Sequence, residues 1–238
     1  MNGAEDRPEE VHQHSGWLIP LIFLAVIGVL AALFLMYDLR PGIGPRAAGR
    51  SPDDTPIALS VRGLRLNVPA NYLDDAQARS GGEQETLHLT ALFPDFRGYS
   101  AEDARLFSGN APDSPLVRML FRGDDIALDA GARLDRIYGP YIQDMAGAQG
   151  DFGLTQYAFR PDSGYARQDL FAGRHEGMLA LFLCERAAPD LPSPNCFAAD
   201  RPVAESLSFS YRFKRAYLGR WREIAAGTDD LVARLRAE

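Results

Sequence analysis

The stretch Leu207–Lys214, LSFSYRFK, carries the clearest alternation in the chain. Leu207, Phe209, Tyr211 and Phe213 point one way, and Ser208, Ser210, Arg212 and Lys214 the other. Side chains repeat every second residue along a strand, so this is a strand with one dry and one wet face. That pattern belongs to an antiparallel sheet covered on one side. The expected fold is therefore α+β with a mainly antiparallel sheet, not a doubly wound parallel one.

Downstream, Ala216–Glu238 has the spacing of an amphipathic helix. Leu218, Trp221, Ala225, Thr228, Val232 and Leu235 step by about three and four residues. Gly227 is the expected weak point, with Thr228, Asp229 and Asp230 restarting the helix as cap and acidic first turn. Leu218, Trp221, Ile224, Leu231 and Leu235 are expected to pack this helix on its own domain.

Upstream, Met178–Cys184 (MLALFLC) is continuously apolar, which suits a strand covered on both faces. Gly153–Arg160 and Tyr165–Phe171 flank PDSG, a turn sequence. Asp129–Tyr141 is helical, with Leu134, Ile137, Tyr138 and Tyr141 on one face, and its start extends toward Ile126. Leu116–Arg122 reads as a strand, and SAEDARLF as a short helix capped by Ser100. Glu85–Phe93 alternates again, stopped by Pro94. The domain opens with two alternating runs, Ile57–Val61 and Leu64–Val68, separated by Gly63. Residues 70–84 read as a helical turn and a loop. The count is roughly eight or nine short strands with two or three helices.

Only two cysteines occur, Cys184 and Cys196. Between them lie Pro189, Pro192 and Pro194, so the segment is a loop. A disulfide would close its base. For a loop of about 13 residues that is worth roughly 3 kcal/mol in the chain-entropy model. Such a bond persists in an oxidising compartment such as the bacterial periplasm.

The N-terminus carries a different signal. Trp17–Tyr37, WLIPLIFLAVIGVLAALFLMY, holds no charge. At about 1.5 Å per residue it spans about 31 Å, the thickness of a bilayer core. Trp17 and Tyr37 stand at its ends, where amphipathic rings favour the headgroup level. The run is longer than a signal-peptide core, and no small-residue cleavage site follows. The expectation is a polar tail over residues 1–16, an uncleaved transmembrane helix over 17–37, a flexible linker over 38–56 and a soluble domain over 57–238. The bilayer is then one partner of the chain. Orientation is contested. Arg40, Arg46 and Arg50 after the span place the domain in the cytoplasm by the positive-inside rule. The cysteine pair places it outside. We weigh the cysteines more heavily and expect a single-pass protein of the bacterial inner membrane with a periplasmic domain.

Composition narrows the function. With 25 basic and 32 acidic residues the net charge is −7, which leaves no dense basic face for nucleic acid. Phosphate-loop, dinucleotide, zinc-protease and nucleophile-elbow motifs are missing, and Lys214 is the sole lysine. No catalytic, cofactor-binding or metal residue is therefore expected. The paired aspartates at 53–54, 74–75, 124–125 and 229–230 read as solvated turns, and His175-Glu176 as an exposed hairpin turn. The densest basic stretch, with Arg212, Lys214, Arg215, Arg220 and Arg222 among aromatics, is a possible surface for a partner. The function these features favour is a non-enzymatic binding, scaffold or assembly module of the cell envelope, with another envelope or membrane protein as its expected partner. A membrane-anchored hydrolase with a loop-built site, or a cytoplasm-facing accessory subunit, is the alternative.

Overall fold

A computed structural model describes residues 18–38, 49–125 and 128–237. The chain divides into two compact units, residues 1–46 and 47–238. In the first, the backbone of Leu18–Asp38 is one helix, α1. Its side chains are described over residues 20–30, where Leu21, Ile22, Phe23, Leu24, Val26, Ile27, Val29 and Leu30 are all exposed. Among the described residues no helix is long and apolar enough to cross a membrane. The expected tail 1–16, the Trp17 anchor and most of the linker lie outside the described residues, as does Ile126.

The second unit is an α+β domain with, among its described residues, eleven strands: β1 Pro56–Val61, β2 Leu64–Pro69, β3 Gly82–Gln84, β4 Thr86–Leu92, β5 Leu116–Gly123, β6 Ala148–Gln149, β7 Thr155–Ala158, β8 Gln168–His175, β9 Met178–Glu185, β10 Asn195–Ala204 and β11 Leu207–Lys214. Between them lie helices α2 Ala104–Ser108 and α3 Ala130–Arg133, and α4 Trp221–Leu235 closes the domain. A small sheet runs β2-β1-β3, with β3 parallel to β1. The large sheet runs β4-β5-β11-β10-β9-β8-β7-β6, and every neighbour in it is antiparallel. It is a meander from β6 to β11, with the β4–β5 hairpin added beside β11.

The large sheet has two unlike faces. On one, α4 lays Trp221, Ile224, Leu231 and Leu235 against Leu87, Met119, Phe121, Phe182, Phe209 and Phe213, with Leu59, Leu66 and Val68 of the small sheet in the same core. Trp221, Phe121, Phe182 and Phe209 are almost wholly buried there. The dry face of LSFSYRFK is this face. On the other, Tyr138 and Ile142 cover Leu170, Ala172 and Leu181 at the β7–β9 end. At the far end, Phe107 of α2 covers Leu92 and Leu116, and between these two covers the ground around Arg118 and Arg212 lines a pocket.

Several local expectations are corrected. The C-terminal helix does not begin at Ala216: Arg215–Arg220 is a 3-10 turn, and α4 follows it. Gly227 does not break α4, because the ring of Phe96 lies where a Cβ would be; the glycine admits an aromatic instead of weakening a turn. Thr228 restarts nothing and returns its hydroxyl to the Ala225 carbonyl at 2.8 Å. The Asp129–Tyr141 segment is helical but irregular, passing from α3 into a π turn, Leu134–Tyr138, and a 3-10 turn, Gly139–Tyr141. Ser100 holds the Asp103 N–H at 3.2 Å, yet the helix starts later, at Ala104. β8 begins at Gln168 and runs to His175, past the expected end at Phe171. The short strands β3 and β6 carry too few residues to show a period.

Candidate functional site

Cys184 and Cys196 are joined. They face each other in the ladder of β9 and β10, so the bond staples two sheet neighbours at the base of the proline loop.

The basic stretch does not form one surface. Arg215 turns inward and donates to Asp169 Oδ2 at 2.6 Å and to the Glu185 carbonyl at 2.7 Å. Arg186 reaches the other oxygen of Asp169 at 2.8 Å. Burial alone would raise this carboxyl, but the two arginines outweigh it and hold Asp169 below its ordinary range. Arg220 pairs with Glu223 and lies over the Phe93 ring. Arg222 donates to the Phe152 carbonyl and lies over Trp221. Lys214 is buried, its ammonium held by Asn110 Oδ1 at 2.6 Å and the Ser193 carbonyl at 3.1 Å. Burial first, then repulsion from Arg118, lowers its proton affinity. Arg212 stands on the open face of the sheet.

The concavity runs from the open face over β5 and β11 into the splay between β9 and β10, where it reaches Ala225 and Asp229 of α4. β9 and β10 pair through Cys196↔Cys184, Phe197↔Leu183 and Ala198↔Phe182, and their ladder ends there. Beyond it β10 bulges between Ala198 and Arg201 and follows β11 alone, while Met178–Leu181 follows β8. A bulge bends its strand and increases local twist. A pocket of about 360 Å³ opens in the splay, lined by Leu179, Leu181, Phe182, Ala199 and Tyr211, with Asp129 and His175 at its edge. His175 Nε2 is buried there without a hydrogen-bond partner. The expected exposed turn is thus only half right: Glu176 and Gly177 make it, both at positive φ, and His175 tucks under. A second pocket of about 420 Å³ adjoins the first and shares Ala198, Ala199, Asp200 and Tyr211 with it. Arg118, Arg133 and Arg212 line it, together with Tyr138, Leu183 and Phe197. The two pockets form one trough, apolar at one end and cationic at the other.

Asp74 and Asp200 also line the cationic end. Asp74 is held by Arg50 and by the Thr90 hydroxyl at 2.6 Å, and Asp200 by Arg122 at 3.1 Å and Arg133 at 3.4 Å. Burial pushes the Tyr211 phenol well up, with Asp229 adding to it, so Tyr211 is a neutral hydrogen-bonding wall. No serine, cysteine or lysine lines either pocket except Ser210. Among the described residues no group of three or more His, Cys, Asp and Glu could hold a metal ion.

Sequence reading found Arg212 but missed Arg118, Arg133 and the bulge. Arg118 joins Arg212 only through the β5–β11 register, which links residues far apart in the chain. The bulge has a faint local trace in Ala199-Asp200-Arg201-Pro202, where Pro202 leaves β10 without an N–H to donate.

The fold and trough define an α+β domain built on a long antiparallel meander with one open face. No protein family matches the chain, and no curated protein matches it. Among solved structures, Smlt3025, an immunity protein of the Stenotrophomonas maltophilia type IV secretion system, matches with a TM-score of 0.56 at 18% identity, covering 82% of this chain and 98% of that one. The iron-regulated outer membrane lipoprotein FrpD of Neisseria meningitidis matches with a TM-score of 0.45 at 10% identity, covering 80% and 97%. The first likeness shows a shared fold; the second is too distant to carry an argument.

Proposed function

We propose that this chain is a single-pass protein of the bacterial inner membrane whose α+β domain is exported to the periplasm and binds a partner protein of the envelope in the open-face trough. The trough is the observation that carries the binding role: a two-part concavity beside a packed sheet face, with polar anchors and no grouped nucleophile and base. The Cys184–Cys196 bond supports an oxidising compartment against the arginine count. The exposed apolar side chains of residues 20–30, inside the charge-free run Trp17–Tyr37, support lipid as the solvent of α1. A fold shared with an immunity protein of a secretion system supports a role without chemistry of its own.

Two measurements test the reading. An alkaline phosphatase fusion at Glu238 is expected to be active, and a non-reducing gel of alkylated cells to show the bond. An inactive fusion places the domain in the cytoplasm and returns the accessory-subunit alternative. A photo-crosslinking residue at Phe197, in the trough, is expected to capture a discrete envelope protein that the same residue at Leu106 does not. Equal capture at both positions removes the trough from the proposal.

A further inference from the structure

We propose that the cationic end of the trough binds carboxylate side chains, and that its occupant is an acidic segment of the partner protein laid across Arg118 and Arg212. The proposal deepens the binding reading above and rests on it.

Arg118 on β5 and Arg212 on β11 stand directly opposite in the antiparallel register. Like charges so placed destabilise a sheet. Neither guanidinium has an ion pair or side-chain hydrogen bond among the described residues. Arg118 is half-buried, and that burial, followed by repulsion from Arg212, loosens its proton despite the opposing field of Asp74. A third arginine, Arg133, reaches the same pocket with its Nε buried and unpaired. A buried donor without an acceptor costs about 1–3 kcal/mol.

This is not a chain short of carboxylates, with 32 of them against 25 cations. Elsewhere it neutralises arginines freely, as at Asp169, Asp190 and Glu223. Around the Arg118–Arg212 pair it does not. The lining aspartates, Asp74 and Asp200, are engaged with other groups. Lys214, two residues beyond Arg212 on the same strand face, is held by neutral oxygens alone. The result is a row of positive charge over the wet side of β5 and β11 in which, among the described residues, Arg118 and Arg212 have no bonded acceptor and Asp74 acts on Arg118 only through its field.

Guanidinium groups bind carboxylates through paired, charge-assisted hydrogen bonds. A bound carboxylate would offset the repulsion between Arg118 and Arg212 and offer an acceptor to Arg133. Phosphate could do the same locally. The apolar pocket that continues from the cationic one favours polypeptide, because its accessible apolar lining, Met178, Leu179 and Pro202, meets the residues that follow the acid.

The test uses the full-length protein in a non-ionic detergent, with fluorescein-labelled N-acetyl-hexaglutamate as probe and anisotropy as readout. Binding is expected, weakened at least about tenfold by Arg118→Gln with Arg212→Gln, which corresponds to about 1.4 kcal/mol. Arg105→Gln, at an exposed position of α2 outside both pockets, is expected to change nothing. Arg212→Gln alone is expected to raise the melting temperature of the free protein, since it removes repulsion; this also shows that the variant folds. A lowered melting temperature, or probe binding unaffected by the double variant, overturns the proposal. So does displacement of the probe by inorganic phosphate at equal concentration, or arginine-dependent binding to phosphatidylglycerol vesicles, each of which gives the site to phosphate. If Phe197 captures its partner while hexaglutamate fails to bind, the binding role stands and the acidic occupant falls.

Discussion

The two faces of the large sheet are built from the same strands and obey opposite rules. Along β11, Phe209 and Phe213 are sealed under α4, while Ser210 and Arg212 look onto a trough. On the sealed face each side chain meets complementary apolar surface. On the open face two arginines stand opposite each other in the ladder, and among the described residues neither is ion-paired. A face under selection for stability alone would not keep that pair. The contrast separates residues that hold the domain together from residues available for recognition, although they alternate one by one in the chain.

The contrast breaks first, if it is wrong, at Trp221. Its side chain is fully buried, beside the ring of Phe182 and under Gly173. Trp221→Ala is expected to cost about 3–5 kcal/mol, as large-to-small changes of core aromatics do. A melt of the full-length protein in detergent checks this, and an unchanged melt would turn α4 into a partner-facing helix.

A smaller effect is expected at Asp169, buried between Arg186 and Arg215. Asp169→Asn leaves those donors without their charge and should cost about 2 kcal/mol. The pH dependence follows from the sign. A carboxyl whose folded pKa is lowered contributes stability above its unfolded pKa, and loses it as pH falls through the folded one. Urea midpoints at neutral and acid pH should therefore converge between wild type and Asp169→Asn as the pH drops. A constant gap would show that the interaction is not one of charge.

The smallest effect is expected on the open face. Ser210→Ala, next to Phe209 in the chain, should move stability by less than about 0.5 kcal/mol. A loss comparable to Trp221→Ala would mean that the open face is core in the assembled protein.

How much of this was legible in the sequence depended on the range of the signal. β11 was read from its own alternation, and Leu218, Trp221, Ile224, Leu231 and Leu235 from their helical spacing, because period and burial are local. The disulfide followed from a proline-rich loop between two apolar runs. The irregular turns after α3 were not legible, since helical spacing does not distinguish α from π or 3-10 backbone. Gly227 was misread because the ring of Phe96, which occupies its missing Cβ position, comes from a loop far back in the chain. The trough was the least legible feature. It needs a register between β5 and β11 and the loss of one between β9 and β10, and neither is written in any one segment.

The strand order has a consequence for the order of events in folding. β11 is made after every other described strand of this sheet, yet it lies between β5 and β10. A chain emerging N-terminus first presents the β4–β5 hairpin long before its neighbour exists, and β5 waits with one backbone edge bare. Late, non-local pairing of this kind slows folding and leaves a template for wrong partners. Arg118 and Arg122 project from that waiting strand, and charged side chains are among the devices that keep bare edges from joining. The arginines of the open face thus have work to do before any trough has formed: they guard an unfinished sheet until Leu207–Lys214 arrives to complete it.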